Sequence, residues 1–105
     1  MGMRGQYKNK RDSNEPDLVA ELRAYGLSVY LMDRPADALV GYMGRSYLIE
    51  FKGLKGPLTT PQETFLEGWK GDFTILRTVE DAADFARAVR AGEPVKFVEH
   101  RGVIS

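Results

Sequence analysis

Apolar residues at helical spacing open the legible part of the chain: Leu18, Val19, Leu22 and Tyr25 share one face, with Glu21 and Arg23 off it. The pattern predicts a helix beginning near Asn14-Glu15-Pro16, where an early proline loses no helical hydrogen bond, and ending at Gly26. Leu27 to Met32 reads as a short strand broken by Asp33-Arg34-Pro35. From Asp37 to Lys52 two apolar, aromatic-rich strands flank Met43-Gly44, a hairpin signal. A turn centred there pairs Tyr42 with Arg45, Gly41 with Ser46, Leu39 with Leu48 and Asp37 with Glu50. Leu39 and Leu48 fall on one face, and Val40, Tyr47, Ile49 and Phe51 on the other, so this hairpin is expected at the centre of a sheet covered on both sides.

Thr60-Pro61-Gln62-Glu63 predicts a second helix, with Thr60 as N-cap and Glu63 completing a capping box. Phe65, Leu66 and Trp69 would be its buried face and Gly71 its end. Phe73 to Arg77 reads as a strand, and Thr78-Val79-Glu80-Asp81 as the start of a helix buried through Ala82, Ala83, Phe85, Ala86 and Val89. Gly92 follows that helix, and Pro94 to Val98 reads as an edge strand. The resulting order, α-β-β-β-α-β-α, is an α/β class fold with a mixed sheet flanked by helices.

Composition changes this picture little. The 105 residues make one domain over 13–105, preceded by a flexible arm over 1–12. No apolar run reaches membrane-spanning length, no signal-peptide core opens the chain, and the lack of cysteine removes disulfides and thiolate chemistry, all of which fits a cytoplasmic protein. Net charge is zero, but Arg4, Lys8, Lys10 and Arg11 form a basic arm with no acid before Asp12, suited either to phosphate contact or to plain solvation. The single histidine, His100, reads as a surface residue.

The hairpin carries the candidate chemistry. Residues directly opposed across an antiparallel pair have Cβ atoms roughly 5 Å apart, so Asp37 and Glu50 would be neighbours. Lys52 shares the face of Glu50. Two carboxylates that close repel unless a proton or a cation lies between them, and a divalent metal with oxygen ligands meets that need. The competing reading is a hairpin with charged ends, in which Lys52 pairs with Glu50 in solvent.

Asp37, an apolar hairpin and Glu50-Phe51-Lys52 resemble the active-site signature of the PD-(D/E)xK nuclease superfamily. The stretch from about Asn14 to Arg90 is similar to its small virus-type replication-repair nuclease members. Asn14-Glu15 heads the first helix, Asp37-Ala38-Leu39-Val40-Gly41 resembles the Asp-Leu-x-Val-Gly strand, and Leu58-Thr59-Thr60-Pro61-Gln62 with Phe65 resembles the Leu-(Ser/Thr)-Pro-x-x-Gln-x-x-Phe segment. Two departures stand out: Ala36 separates Pro35 from Asp37, and Pro61 adjoins Gln62.

The resemblance implies a restriction-endonuclease-like core and a Mg²⁺- or Mn²⁺-dependent endonuclease acting on DNA, with one or two metals. Asp37, Glu50 and the Phe51 carbonyl would hold the metal, with Lys52 orienting water, taking its proton or stabilising charge. Glu15 would either reach the metal region or simply complement the helix dipole. Gln62 would lie near the site or substrate, its alternative being an exposed first-turn position. Arg4, Lys8, Lys10, Arg11, Arg45 and Lys55 are candidate phosphate contacts. Cutting two strands favours a homodimer. The competing functions are a nucleic-acid-binding module of the same fold without turnover, and an assembly protein that uses its hairpin face.

Overall fold

The computed structural model describes residues 13–95, in the order α1 (Glu15–Ala24), β1 (Ser28–Leu31), β2 (Ala38–Tyr42), β3 (Arg45–Phe51), α2 (Thr60–Gly68), β4 (Phe73–Leu76) and α3 (Val79–Ala91). Arg4, Lys8, Lys10, Arg11 and His100 lie outside these residues. Of the expected edge strand over 94–98, Pro94 and Val95 are described and are not in a strand, and the rest lies outside.

The four strands form one sheet in the order β1-β2-β3-β4, antiparallel except for the parallel pair β3 and β4. The fold is therefore α+β, with a mixed sheet and three helices. The hairpin pairs Tyr42 with Arg45, Gly41 with Ser46 and Leu39 with Leu48, as its turn dictates. Met43 and Gly44 both have positive φ, 49° and 81°, which a two-residue hairpin turn needs to match the twist of its strands.

Alternation along β2 and β3 supplies two apolar faces. Val40, Tyr47, Ile49 and Phe51 pack with Leu18, Val19 and Leu22 of α1 and with Ala82, Phe85, Ala86 and Val89 of α3. The Tyr47 and Phe85 rings meet edge to face with centroids 5.4 Å apart. Leu48, Phe73 and Ile75 face the other way, under Leu58, Phe65 and Leu66. Ala36, the residue separating Pro35 from Asp37, is buried in this second cluster. Removing a side chain such as Leu18, Leu22 or Ile49, all fully buried, costs about 2–5 kcal/mol in a core of this kind.

The helices α1 and α3 are thus anchored by apolar burial, whereas α2 contains no fully buried residue. It is also shorter than its sequence pattern: it stops at Gly68, because Trp69 turns to an extended conformation (φ −88°, ψ 125°) three residues after Leu66, whose carbonyl accepts the Trp69 N–H. Trp69 is 41% exposed rather than part of a buried face. Among the described residues no helix is long and apolar enough to cross a membrane.

Candidate functional site

Because β3 and β4 run parallel, their C-terminal ends lie side by side, and the antiparallel β2 begins at the same end. The N-terminus of α1 is tied there too. Asn14 Nδ2 donates to the carbonyls of Lys52 (3.2 Å) and Arg77 (2.9 Å), so its amide links two strand ends instead of capping its own helix. The Arg77 guanidinium donates to the carbonyls of Gly53 (2.6 Å) and Gly56 (2.8 Å), fixing the loop that follows β3. The Arg77 amide in turn donates to Asp81 Oδ2 at the start of α3.

Asp37 and Glu50 meet at this end, though not as plain cross-strand partners. The regular ladder stops at Ala38 and Ile49. Beyond it the Asp37 carbonyl accepts from the Met32 amide (2.8 Å), while the Asp37 N–H donates to the Ile49 carbonyl (3.0 Å). A regular strand residue directs both groups to one neighbour, so the backbone turns at Asp37. The turn lets Asp37 Oδ2 accept the Phe51 N–H at 2.9 Å, which fixes the carboxylate over the end of β3.

Glu50 is only 5% exposed. Burial pushes its carboxyl up from 4.5 to about 8, the negative charge of Asp37 and a hydrogen bond to it add to the rise, and the Lys52 ammonium opposes it. Lys52 Nζ lies 3.7 Å from Glu50 Oε2, and both side chains are largely buried. The pair therefore differs from the solvent-exposed ion pair of a surface hairpin, whose worth is about 0–1 kcal/mol.

A third side chain completes the arrangement, and here the structure shifts the expected cap by one residue. Thr59, not Thr60, is the N-cap of α2, and Gln62, not Glu63, is the third helical residue of the capping box. Gln62 Oε1 accepts the Thr59 N–H at 2.8 Å, and the Gln62 N–H donates to Thr59 Oγ1 at 3.3 Å. With its oxygen occupied by the cap, the amide presents its nitrogen outward, where Nε2 donates to Glu50 Oε2. Gln62 is accordingly half-buried rather than an exposed first-turn residue. One side chain starts the helix and holds the carboxylate.

These groups open into a cleft of about 560 Å³ lined by Asp33, Arg34, Pro35, Asp37, Glu50, Pro61, Gln62 and Phe65. Arg34 was not legible as a site residue, since a lone arginine in a Pro-containing breaker carries no periodic signal. Asn14 and Arg77 act on the backbone, which sequence patterns do not report. Glu15 is buried beside Asn14 at this same end. Among the described residues no three His, Cys, Asp or Glu side chains come together to hold a metal, so Glu15 does not form a triad with Asp37 and Glu50. Arg45 and Lys55 are exposed, the former at the far end of the hairpin and the latter in the loop braced by Arg77.

The donor set fits a hard divalent cation: Asp37 and Glu50 bring carboxylate oxygens side by side, and burial together with the charge of Asp37 disfavours a second negative charge there, which a cation would stabilise. Compared with protein-family models, with curated proteins and with solved structures, the chain finds no match.

Proposed function

We propose that this chain is a metal-dependent DNA endonuclease with a restriction-endonuclease-like core of the PD-(D/E)xK type. The observation that carries the proposal is the cluster of Asp37, Glu50 and Lys52 at the shared end of β2 and β3, with Glu50 buried and Asp37 and Glu50 lining a cleft. A surface hairpin with charged ends would not bury Glu50 to 5% exposure or supply it with two further polar partners. The order of elements, α-β-β-β-α-β-α, supports the same reading.

Asp37 and Glu50 would hold Mg²⁺ or Mn²⁺, with the Phe51 carbonyl as a further ligand. When bound, the ion would supply charge neutralisation at the phosphoryl oxygens and a water acidified toward neutral pH. The chain's own residues do the rest. The Phe51 amide fixes Asp37, and Gln62 fixes the Glu50 carboxylate through its Oε2. Lys52, held beside Glu50, orients the attacking water, takes its proton, or stabilises charge as it builds on the phosphorus oxygens. Asn14 fixes the backbone on which Lys52 sits. Exposed Arg34 on the cleft wall is suited to a flanking phosphate.

The test is cleavage of labelled duplex, flap and four-way-junction DNA in Mg²⁺, Mn²⁺ or EDTA, with the Lys52→Ala protein in parallel. Metal-dependent cutting that is lost with Lys52→Ala is the expected result. Binding of all three substrates with no cutting in any metal would replace the enzyme by a nucleic-acid-binding module of the same fold.

A further inference from the structure

We infer that Trp69 is a stacking platform for an unpaired nucleobase, so that the substrate of this site carries a single-stranded segment. The inference rests on the nuclease reading for the identity of the cleft, and deepens it by naming the substrate class. Trp69 is the only tryptophan and is 41% exposed, yet its ring is held from several directions. Its indole N–H donates to the Asp72 carbonyl at 3.0 Å. It stacks on Phe65, with centroids 5.2 Å apart and planes 26° apart. Phe65 rests in turn on the buried Phe73, with centroids 6.2 Å apart.

Gly71 gives an independent sign that the ring's place is built into the turn. A Cβ at position 71 would lie 2.6 Å from the indole Cζ2 and 2.9 Å from Cε2, so only glycine leaves the ring where it is. Covering Phe65 would need any apolar side chain. Fixing the plane of an exposed indole needs the N–H bond and the bare glycine as well.

This aromatic column reaches the cleft through Phe65, which lines it together with Asp37, Glu50 and Arg34. An anionic strand held by Arg34 would therefore pass beside the column. Bases within a duplex already stack on one another, whereas an unpaired base has a free face for an aromatic ring. Such stacking is worth about 1–3 kcal/mol per base and tolerates any sequence. A flap or an opened junction offers such a base next to a scissile phosphate.

The lone tryptophan makes the test direct. Its emission is followed during titration, in Mg²⁺, with a short oligo(dT) whose phosphorothioate links resist hydrolysis, with an abasic strand of the same backbone, and with a duplex. A dye on each strand reports binding separately. Quenching by oligo(dT), absent with the abasic strand and weak with the duplex, is the expected result.

Trp69→Ala should weaken oligo(dT) binding by between about fivefold and about 150-fold, the range that one stacked base represents. Trp69→Phe should retain most of the affinity. Gly71→Ala should displace the ring, changing the emission of the free protein and weakening binding with the aromatic residue still present. Bound oligo(dT) with unchanged emission, equal quenching by the abasic strand, or no binding of oligo(dT) would each overturn the inference. Cleavage assayed alongside keeps the two ideas separate. Cutting without a tryptophan response removes the platform alone, and a response without cutting in any metal removes the enzyme alone.

Discussion

Glu50 is the residue on which the site turns, because its environment works against its own charge. Buried and next to Asp37, it keeps a proton to about pH 8, where a free carboxylate would lose one near 4.5. Between those values the folded chain binds a proton that the unfolded chain does not, so stability is greatest below the lower value and falls as pH rises toward the upper one. Metal-free protein should therefore lose melting temperature between about pH 4.5 and 8, and Glu50→Gln should flatten the loss and be the more stable protein above pH 8 while failing to cleave. Melting curves of both proteins in EDTA across that range are the check, and an equal slope would contradict the paired-carboxylate site. Asp37→Asn should likewise cost little in EDTA, since an amide oxygen can still accept the Phe51 N–H.

At the level of elements, α2 ties its own formation to the site. It has no fully buried residue and is held by Phe65, Leu66 and the polar bridge through Gln62. Gln62→Ala should cost about 1 kcal/mol through the lost bond from the Thr59 N–H and lower cleavage by freeing Glu50. Gln62→Glu keeps the capping box but sets a third carboxyl beside Glu50. It should match the wild type in stability near pH 5 and fall below it near pH 8, and thermal melts of both variants at the two pH values separate the cap from the charge. Legibility followed the same division. The hairpin register was readable because the Met43-Gly44 turn and strict alternation admit one pairing, and α1 and α3 because their apolar faces recur at helical spacing. The cap of α2 was not, since Thr59-x-x-Gln62 and Thr60-x-x-Glu63 satisfy the same local rule; in the structure the box that forms is the one whose Gln62 amide also reaches Glu50 across the fold. The turn of the backbone at Asp37 was hidden for the same reason, because it shows only in which residues its N–H and carbonyl reach, Ile49 on one side and Met32 on the other.

For the whole molecule, the parallel pairing of β3 with β4 is what gathers the site, because it brings the ends of both strands together beneath the N-terminus of α1. The molecule has a Cα radius of gyration of 13.3 Å, and Asp37 and Glu50 together line a single cleft. A protein this small presents one site to one strand, so cutting both strands of a duplex or a junction calls for a two-fold dimer. Sedimentation at micromolar concentration, with and without junction DNA, should show a dimer in at least the DNA-bound state. Monomer under both conditions would contradict the dimer and restrict the proposed nuclease to nicks and flaps, the substrates that a single site beside Trp69 could serve.

If Asp37 and Glu50 form a divalent-cation site, calorimetric titration of Mn²⁺ into the metal-free protein will register it. The wild type should bind Mn²⁺ near neutral pH with release of a proton from Glu50, and Asp37→Asn and Glu50→Gln should each abolish that binding while remaining folded. No Mn²⁺ binding by the wild type, or binding left intact in both variants, would contradict it.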